Sequence, residues 1–186
     1  MHNARAYSAG AELWLRIALV LAGSLLMYAG AKFSIEIGPV PITGQTLALP
    51  IVVALLGTRL GLAAVVAYLA EGALGLPVFA RGGGPGYLIG PTAGYLWSMP
   101  FAAVAIGVAF DRGWGRDPLR RFVAIFAGTA LVIAAGALWL AAFTGSARAA
   151  FAMGVVPFLI GDLAKCAIAS AVPPQGLARL AARFRL

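Results

Sequence analysis

The sequence predicts an all-α integral membrane protein that crosses the bilayer six times and forms a single domain over residues 1–186. Of these residues, 62% are hydrophobic and only 11% are charged, whereas a soluble domain averages roughly 45–50% and about 25%. A helix needs roughly 20 apolar residues to cross a bilayer, and six apolar segments follow one another along the chain. The predicted helices cover about 13–32, 46–57, 60–76, 92–110, 122–143 and 151–172.

The first three predicted helices differ in how well they suit a membrane crossing. The segment 13–32 is long enough to span, and no small-residue cleavage motif follows it, so we interpret it as a helix rather than a cleaved signal. The segment 46–57 is short and contains Pro50, so it begins in the preceding loop or crosses at an angle. Glu71 lies near the end of the third helix, where a carboxylate can reach the headgroups.

Two irregular loops, 33–45 and 77–91, follow the first and third helices. Pro39 and Pro41 stiffen the first loop, and three glycines at 82–84 make the second one flexible. The second loop has neither the Gly-Lys-Ser/Thr ending of a P-loop nor the G-x-G-x-x-G spacing of a dinucleotide site. Irregular backbone is tolerated at membrane depth only where protein or water covers it, so we interpret this loop as a lid or re-entrant loop over a cavity.

The last three predicted helices lead into a basic tail. Tyr95 and Trp97 lie in the first turns of the fourth helix, a position typical of an interfacial aromatic belt or a ring platform. The fifth helix carries no charge and is interpreted as scaffold and lipid contact. Pro157 interrupts the sixth helix, and the amphipathic tail 176–186 is predicted to lie along the membrane surface.

The basic residues are distributed unevenly between the two sides of the membrane. With six crossings both chain ends share one side, which then holds ten of the 14 Lys and Arg residues. Cytoplasmic loops carry the excess of Lys and Arg, so the sequence predicts an N-in, C-in orientation with both irregular loops facing outward. This placement also accounts for the net charge of +8 without nucleic acid. The ten are Arg5, Arg16, Arg59, Arg112, Arg116, Arg120, Arg121, Arg179, Arg183 and Arg185, and the opposite side has Lys32, Arg81 and Arg148.

Asp162 and Lys165 lie inside the sixth helix, three residues apart and therefore on one face. A charged side chain at membrane depth costs roughly 2.5–3.5 kcal/mol on insertion scales. Pairing offsets part of this cost, so a salt bridge that holds two helices together is one interpretation. The other is a ligand or ion site, which is the usual role of ionisable residues within a membrane.

The residue types exclude several kinds of chemistry. His2 is the only histidine and Cys166 the only cysteine, so the sequence predicts no histidine-based metal centre, no Ser-His-Asp triad and no internal disulfide. The predicted helices also offer no plausible pair of nucleophile and base. We therefore expect no catalytic residues, no metal and no cofactor.

Ala18 and Ala22 lie four residues apart on the first helix, with Gly23 and Gly30 near them. Small residues at this spacing allow a second helix to approach closely in lipid. The partner is a helix of another protein or, equally well on spacing alone, a helix of this chain.

Four blocks of the sequence together resemble a known family. They are 39–46 (PVPITGQT), 68–80 (YLAEGALGLPVFA), 90–96 (GPTAGYL) and 161–165 (GDLAK). Together, and in this order, they resemble the BioY family, the biotin-specific substrate-binding (S) components of energy-coupling factor (ECF) transporters. Two positions depart from the family pattern. Glu71 stands where members often have an apolar residue, and Ala93 where they often have a third glycine, so no general role for Glu71 carries over.

The resemblance implies a six-helix S-component fold in the bacterial cytoplasmic (inner) membrane, with a vitamin pocket near the outer face. It implies high-affinity capture of biotin and its uptake by an ATP-driven transporter. The implied partners are a transmembrane coupling (T) component and cytoplasmic ATPases (A components). This chain has no nucleotide motif, so ATP would be hydrolysed by those separate subunits. Ala18 and Ala22 match the small residues through which the family couples.

The resemblance also implies which residues bind biotin. Asp162 and Lys165 are the first candidates, since a carboxylate can accept from the ureido N–H groups and an ammonium can donate to the ureido carbonyl or to the valerate carboxylate. Which residue meets which end of biotin stays open. Buried polar groups of this kind reject analogues that leave them unpaired. Further candidates are Tyr95, Thr43 and Gln45, then Phe79, Tyr87 and Trp97 as apolar walls. Glu71 is also a candidate for biotin binding, although the family pattern gives it no role.

Other functions make different predictions. A stand-alone secondary transporter of biotin or a related vitamin would use Asp162 or Glu71 for proton coupling and would work without ATPases. An S component for riboflavin or thiamine conflicts with the four blocks, and an intramembrane enzyme conflicts with the absence of histidine in the helices. A purely structural subunit predicts that Asp162→Asn and Lys165→Ala disturb stability although no ligand ever binds.

Overall fold

The computed structural model describes residues 9–36 and 38–174. In this part of the chain the regular structure is helical except for one short β-hairpin. Five helical segments are long and apolar enough to cross a membrane, the fifth being the interrupted segment Ala147–Ser170. The prediction of an all-α membrane protein is thereby confirmed. The helices are α1 (Ala9–Lys32), α2 (Gln45–Ala73), α3 (Ala93–Asp111), α4 (Pro118–Thr144), α5 (Ala147–Gly154) and α6 (Leu159–Ser170), and the strands are β1 (Ser34–Ile35) and β2 (Ile42–Thr43).

The helix α2 is broken at Gly57, where the chain reverses direction. Gly57 has φ 77° and ψ 176°, a combination essentially restricted to glycine. A Cβ built on Gly61 would lie 3.0 Å from the Cα of Val53, although residues eight apart on a straight helix are separated by about 12 Å. The two halves, 45–56 and 58–73, therefore pack side by side as a helical hairpin.

The helix α1 packs against both halves of this hairpin. A Cβ on Gly23 would meet Leu56 of the first half and Ala64 of the second. Ala18 and Ala22 lie on a different face of α1 from Gly23 and are exposed. Gly23 therefore serves packing inside the protein, whereas the two alanines leave a small-residue surface open.

The helix α4 packs against α3, α5 and α6. Small residues allow its close approach to α3, since a side chain on Gly128 would meet Ile106 and one on Gly136 would overlap the ring of Tyr95. The thiol of Cys166 on α6 lies 3.6 Å from the hydroxyl oxygen of Thr129 on α4. The uncharged middle of α4 is thus largely a scaffold on which α3 and α6 are placed.

The helix α4 begins at Pro118, four residues before the predicted start at 122. Asp117 caps it, since its side chain accepts a hydrogen bond of 2.8 Å from the backbone N–H of Arg120, and proline suits the first helical position. The basic residues at 120 and 121 therefore lie on the helix. The sequence interpretation placed them in a loop because they are charged.

The last predicted helix, 151–172, is divided into α5, a turn at Val156–Phe158, and α6. Pro157 lacks the backbone N–H that a continuous helix would use, which accounts for the interruption. The predicted surface tail at 176–186 lies outside the described residues.

The break in α2 separates two ends of the helical bundle. At one end Thr58 donates a 2.6 Å hydrogen bond to Asp111, so the turn at Gly57 lies beside the basic connection between α3 and α4. The other end carries the first loop (described residues 33–36 and 38–44), which contains the β1–β2 hairpin, and the second loop (74–92).

Candidate functional site

A cavity of about 370 Å³ lies between the two loops and the helices α2, α3 and α4. Its volume falls within the range of roughly 300–1,000 Å³ that is usual for small-molecule sites. Most of its walls are apolar or aromatic. These wall residues include Val40, Pro41, Phe79, Tyr87, Tyr95, Leu96, Met99, Val132, Ile133 and Phe158.

Three polar side chains, those of Thr43, Gln45 and Thr46, line one side of the cavity. They converge because β2 ends at Thr43 and α2 begins only two residues later. The hydroxyl of Thr43 donates to Gln45 Oε1 over 3.0 Å, and Gln45 Nε2 donates to the hydroxyl of Tyr68 over 2.9 Å. The Gln45 amide, 6% exposed, is therefore held in one orientation.

Asp162 and Lys165 form an ion pair directly behind Thr46. Lys165 Nζ lies 2.7 Å from Asp162 Oδ1 and also donates to the backbone carbonyl of Thr43 over 2.7 Å. The Thr46 hydroxyl donates to the same Asp162 oxygen over 2.7 Å. Neither charged residue is among those that line the cavity, so the pair reaches it through Thr46.

The Asp162 carboxylate keeps one acceptor free. Asp162 is only 3% exposed, and its Oδ2 has no hydrogen-bond partner among the described residues. A buried acceptor without a partner carries a desolvation cost of about 1–3 kcal/mol, more when it is charged. A ligand that brought an N–H group to this oxygen would remove that cost.

The second loop contributes Phe79 and Tyr87 to the cavity, with their ring centroids 5.4 Å apart. Phe79 is 2% exposed and lies over Gly72, where a side chain would overlap its ring. A side chain on Gly83 would likewise overlap the carbonyl oxygen of Leu76. Within the predicted flexible glycine run, Gly83 is thus close-packed, and Gly82 exchanges two backbone hydrogen bonds with Phe79.

Tyr95 lines the cavity from α3 and is fixed by the turn before α6. Its hydroxyl donates to the carbonyl of Gly154 over 2.8 Å, and its ring stacks on Phe158 with the centroids 5.9 Å apart. With its hydroxyl directed at the backbone, Tyr95 presents its ring rather than a polar group to the cavity.

Two candidate residues lie away from the cavity. Trp97 is half exposed, and its indole N–H donates to the carbonyl of Leu88. Glu71 faces a separate groove beside α1, where it accepts a 2.5 Å hydrogen bond from Ser24. The structure brings Thr43, Gln45, Phe79, Tyr87 and Tyr95 together around the cavity, and it does not bring these two residues to it.

The sequence interpretation missed most of the residues that line the cavity, among them the polar Thr46 and the charged Arg81. Thr46 stands in the same block as Gln45, but only the fold reveals its contact with Asp162. Arg81 is the charged residue among the described residues that line the cavity. It pairs with Glu36 over 3.0 Å and donates to the carbonyl of Gly38, so it lies where the two loops meet.

The fold and the cavity define a membrane-embedded protein that can hold a small molecule between its helices and two loops. The sequence model of the BioY family matches residues 4–182 of this chain. The chain is 37% identical over 154 residues to a probable biotin transporter BioY of Pyrococcus horikoshii, covering 82% of this chain and 90% of that protein. It is 35% identical over 158 residues to the biotin transporter BioY of Thermotoga maritima, covering 83% and 92%. The chain belongs to the BioY family, as the sequence blocks predict.

A solved structure shares the fold. The crystal structure of the S-component for biotin from an ECF-type ABC transporter superposes with a TM-score of 0.77, covering 91% of this chain and 94% of that one. The two sequences are 22% identical, so this likeness establishes the architecture, and the site residues of this chain are argued from their own contacts.

Proposed function

We propose that this protein captures biotin and serves as the substrate-binding component of an ECF transporter that takes biotin up. Membership of the BioY family supports biotin as the substrate. One observation supports the location of the binding site. That observation is the cavity lined by Thr43, Gln45 and Thr46, with the Asp162–Lys165 ion pair behind it. The site offers donors and acceptors on one side, a guanidinium at the junction of the two loops and apolar walls elsewhere. Biotin is divided in the same way, into a ureido ring, a carboxylate and an apolar remainder.

The contacts favour one orientation of biotin. The ureido ring has two N–H donors and a polar carbonyl, which suit the amide and hydroxyl groups of Gln45 and Thr46 in the cavity wall. The Asp162 carboxylate does not line the cavity and would act on the ligand through Thr46, which is hydrogen-bonded to it. The valerate carboxylate suits Arg81, whose guanidinium already holds a carboxylate, that of Glu36, at 3.0 Å. In this orientation the bicycle lies towards α6 and the carboxylate lies at the junction of the loops.

We also propose that transport requires partners. The exposed alanines at 18 and 22 on α1 offer a small-residue surface to a transmembrane coupling protein. This chain contains no P-loop motif, so cytoplasmic ATPases would supply the energy. Biotin itself is the ligand, and the proposal includes no cofactor.

The proposed membrane topology has six crossings with both chain ends in the cytoplasm of a bacterial cell. The reversal at Gly57 supports two crossings within α2. It places Arg59 at the same end as the basic connection that follows α3, and the uneven distribution of arginine favours that end as the cytoplasmic one. The cavity then opens toward the outside of the inner membrane, where an external vitamin is captured.

Equilibrium binding of labelled biotin to the purified protein in detergent tests this function. We expect tight binding that unlabelled biotin displaces and that riboflavin and thiamine do not. Asp162→Asn and Lys165→Ala should lose affinity while they remain folded by thermal unfolding. A folded wild-type protein that binds no biotin would refute the proposal, and loss of folding without any ligand binding would favour a structural role.

A further inference from the structure

Tyr68 links the two loops that surround the cavity through a chain of hydrogen bonds. Its hydroxyl accepts from Gln45 Nε2 over 2.9 Å and donates to the carbonyl of Val78 over 3.2 Å. Gln45 Oε1 in turn accepts from the hydroxyl of Thr43 over 3.0 Å. The chain therefore runs from β2 in the first loop, across α2, to the start of the second loop.

We propose that Tyr68 is a positioning residue that keeps the two loops in register over the bound ligand and thereby slows its escape. The inference rests on the proposed function, because it concerns the same cavity. Thr43 lines the cavity from the first loop, and Phe79, the neighbour of Val78, lines it from the second. Tyr68 itself is 0% exposed and does not line the cavity.

The position of Tyr68 distinguishes this link from the other contact between the loops. Arg81 joins the second loop to Glu36 and Gly38 of the first, but its side chain is 36% exposed and that of Glu36 is 60% exposed. Exposed ion pairs contribute only about 0–1 kcal/mol. The Tyr68 chain is buried, where hydrogen bonds strengthen one another and a lost partner is costly.

The hydroxyl of Tyr68, rather than its ring, carries the link. The ring packs edge-on against Phe79 with the centroids 5.5 Å apart and the planes at 81°, and phenylalanine would keep that contact. Tyr68→Phe would remove the donor to Val78 and leave Gln45 Nε2 with a sulfur atom, Met99 Sδ at 3.9 Å, as its remaining contact. The variant thus separates the link from the packing.

The test compares biotin dissociation from the wild-type protein, Tyr68→Phe and Thr43→Val, which breaks the same chain at its other end. Tyr28→Phe is the matched control, because its hydroxyl makes no hydrogen bond within the described residues. We expect Tyr68→Phe to raise the dissociation rate about 3- to 10-fold, the effect of one net hydrogen bond, with little change in the association rate. Tyr28→Phe should dissociate at the wild-type rate. A dissociation rate for Tyr68→Phe equal to that of Tyr28→Phe would overturn the inference.

Amide hydrogen exchange of the ligand-free proteins tests the link independently of biotin. We expect Tyr68→Phe to exchange faster than wild type in peptides covering 77–88 and 38–44, with unchanged exchange in α4. Unchanged exchange in both loops would overturn the inference even if biotin binds. Failure of the wild-type protein to bind biotin would refute the proposed function, and faster loop exchange in Tyr68→Phe would still support the link. If Tyr68→Phe does not fold, loop exchange in ligand-free Thr43→Val provides the test, because Thr43 lines the cavity and its effect on biotin dissociation would also include direct contact with the ligand.

Discussion

The hydroxyl of Thr46 donates a 2.7 Å hydrogen bond to the carboxylate of Asp162, which lies 116 residues further along the chain. Lys165 Nζ approaches the same hydroxyl oxygen to 3.2 Å. The only intramembrane ion pair among the described residues is thus joined to the wall of the cavity. This arrangement holds α6 against the start of α2. Under the proposed function the pair has a second role, which is to support the polar wall of the cavity through Thr46.

The structural role predicts a specific order of stabilities. Asp162→Asn leaves the Lys165 ammonium without its counter-charge, and Lys165→Met leaves the carboxylate alone. Breaking a fully buried ion pair lowers the free energy of unfolding by about 3–5 kcal/mol. We expect a smaller loss here, because the Lys165 side chain remains 17% exposed. The double variant has no unpaired charge and should therefore unfold at a higher temperature than either single variant. Thermal unfolding in one detergent measures the order, and single variants as stable as wild type would contradict it.

Arg81 should recognise the carboxylate of the ligand. Arg81→Gln removes the positive charge that lines the cavity, and a charge-assisted hydrogen bond contributes about 1.5–3 kcal/mol. Because the Arg81 side chain is 36% exposed, solvent screens part of this contribution. We expect biotin affinity to fall by roughly 3- to 10-fold, while the affinity for biotinamide, which has no carboxylate, stays near its wild-type value. Arg148→Gln, an exposed arginine outside the cavity, is the control. If Arg81→Gln lost as much affinity for biotinamide as for biotin, Arg81 would not recognise the carboxylate.

Gly57 should be intolerant of any side chain. Its φ of 77° with ψ of 176° lies in a region that is essentially restricted to glycine, and other residues there cost of order 1–3 kcal/mol. Gly57→Ala should therefore lower the thermal unfolding temperature. Gly161→Ala is the matched control, because Gly161 is helical with no atom within 4 Å of a built Cβ, and alanine there should be neutral or stabilising by about 0.5–1 kcal/mol. A Gly57→Ala protein as stable as Gly161→Ala would argue against the reversal.

The exposed alanines on α1 predict a separation of binding from assembly. Ala18→Leu and Ala22→Leu put large side chains on the exposed small-residue face of α1, and no residue of α1 is among the described residues that line the cavity. Biotin affinity should stay at the wild-type value, whereas co-purification with the coupling protein and ATP-dependent uptake should fall. Ala142→Leu, at an exposed position on α4, should affect neither. Normal uptake by the Ala18→Leu, Ala22→Leu double variant would exclude this face as the contact.

Much of the architecture could be predicted from the sequence because membrane burial leaves a strong signal. Apolar segments located the helices, and Pro157 correctly marked an interruption between α5 and α6. The start of α4 at Pro118 was missed because the charges at 120 and 121 suggested a loop, and the capping by Asp117 outweighed them. The β1–β2 hairpin was also missed, since each strand has only two residues.

The site was harder to predict than the fold. The sequence singled out Asp162 and Lys165 because charges are costly in a membrane, and it singled out Gln45 through its sequence block. It gave no reason to place Thr46 against Asp162, because that contact depends on how α2 and α6 pack. Glu71 drew attention for the same reason as Asp162, but its helix turns it toward Ser24 and away from the cavity.

The position of biotin in a crystal structure of the complex tests the central claim most directly. We predict that the ureido ring lies within hydrogen-bond distance of Thr46 and Gln45, in front of the Asp162–Lys165 ion pair, with the carboxylate beside Arg81. Biotin bound in the reverse orientation would contradict the assignment of its two ends. Biotin found in the groove beside Glu71, or outside the loops altogether, would contradict the site itself.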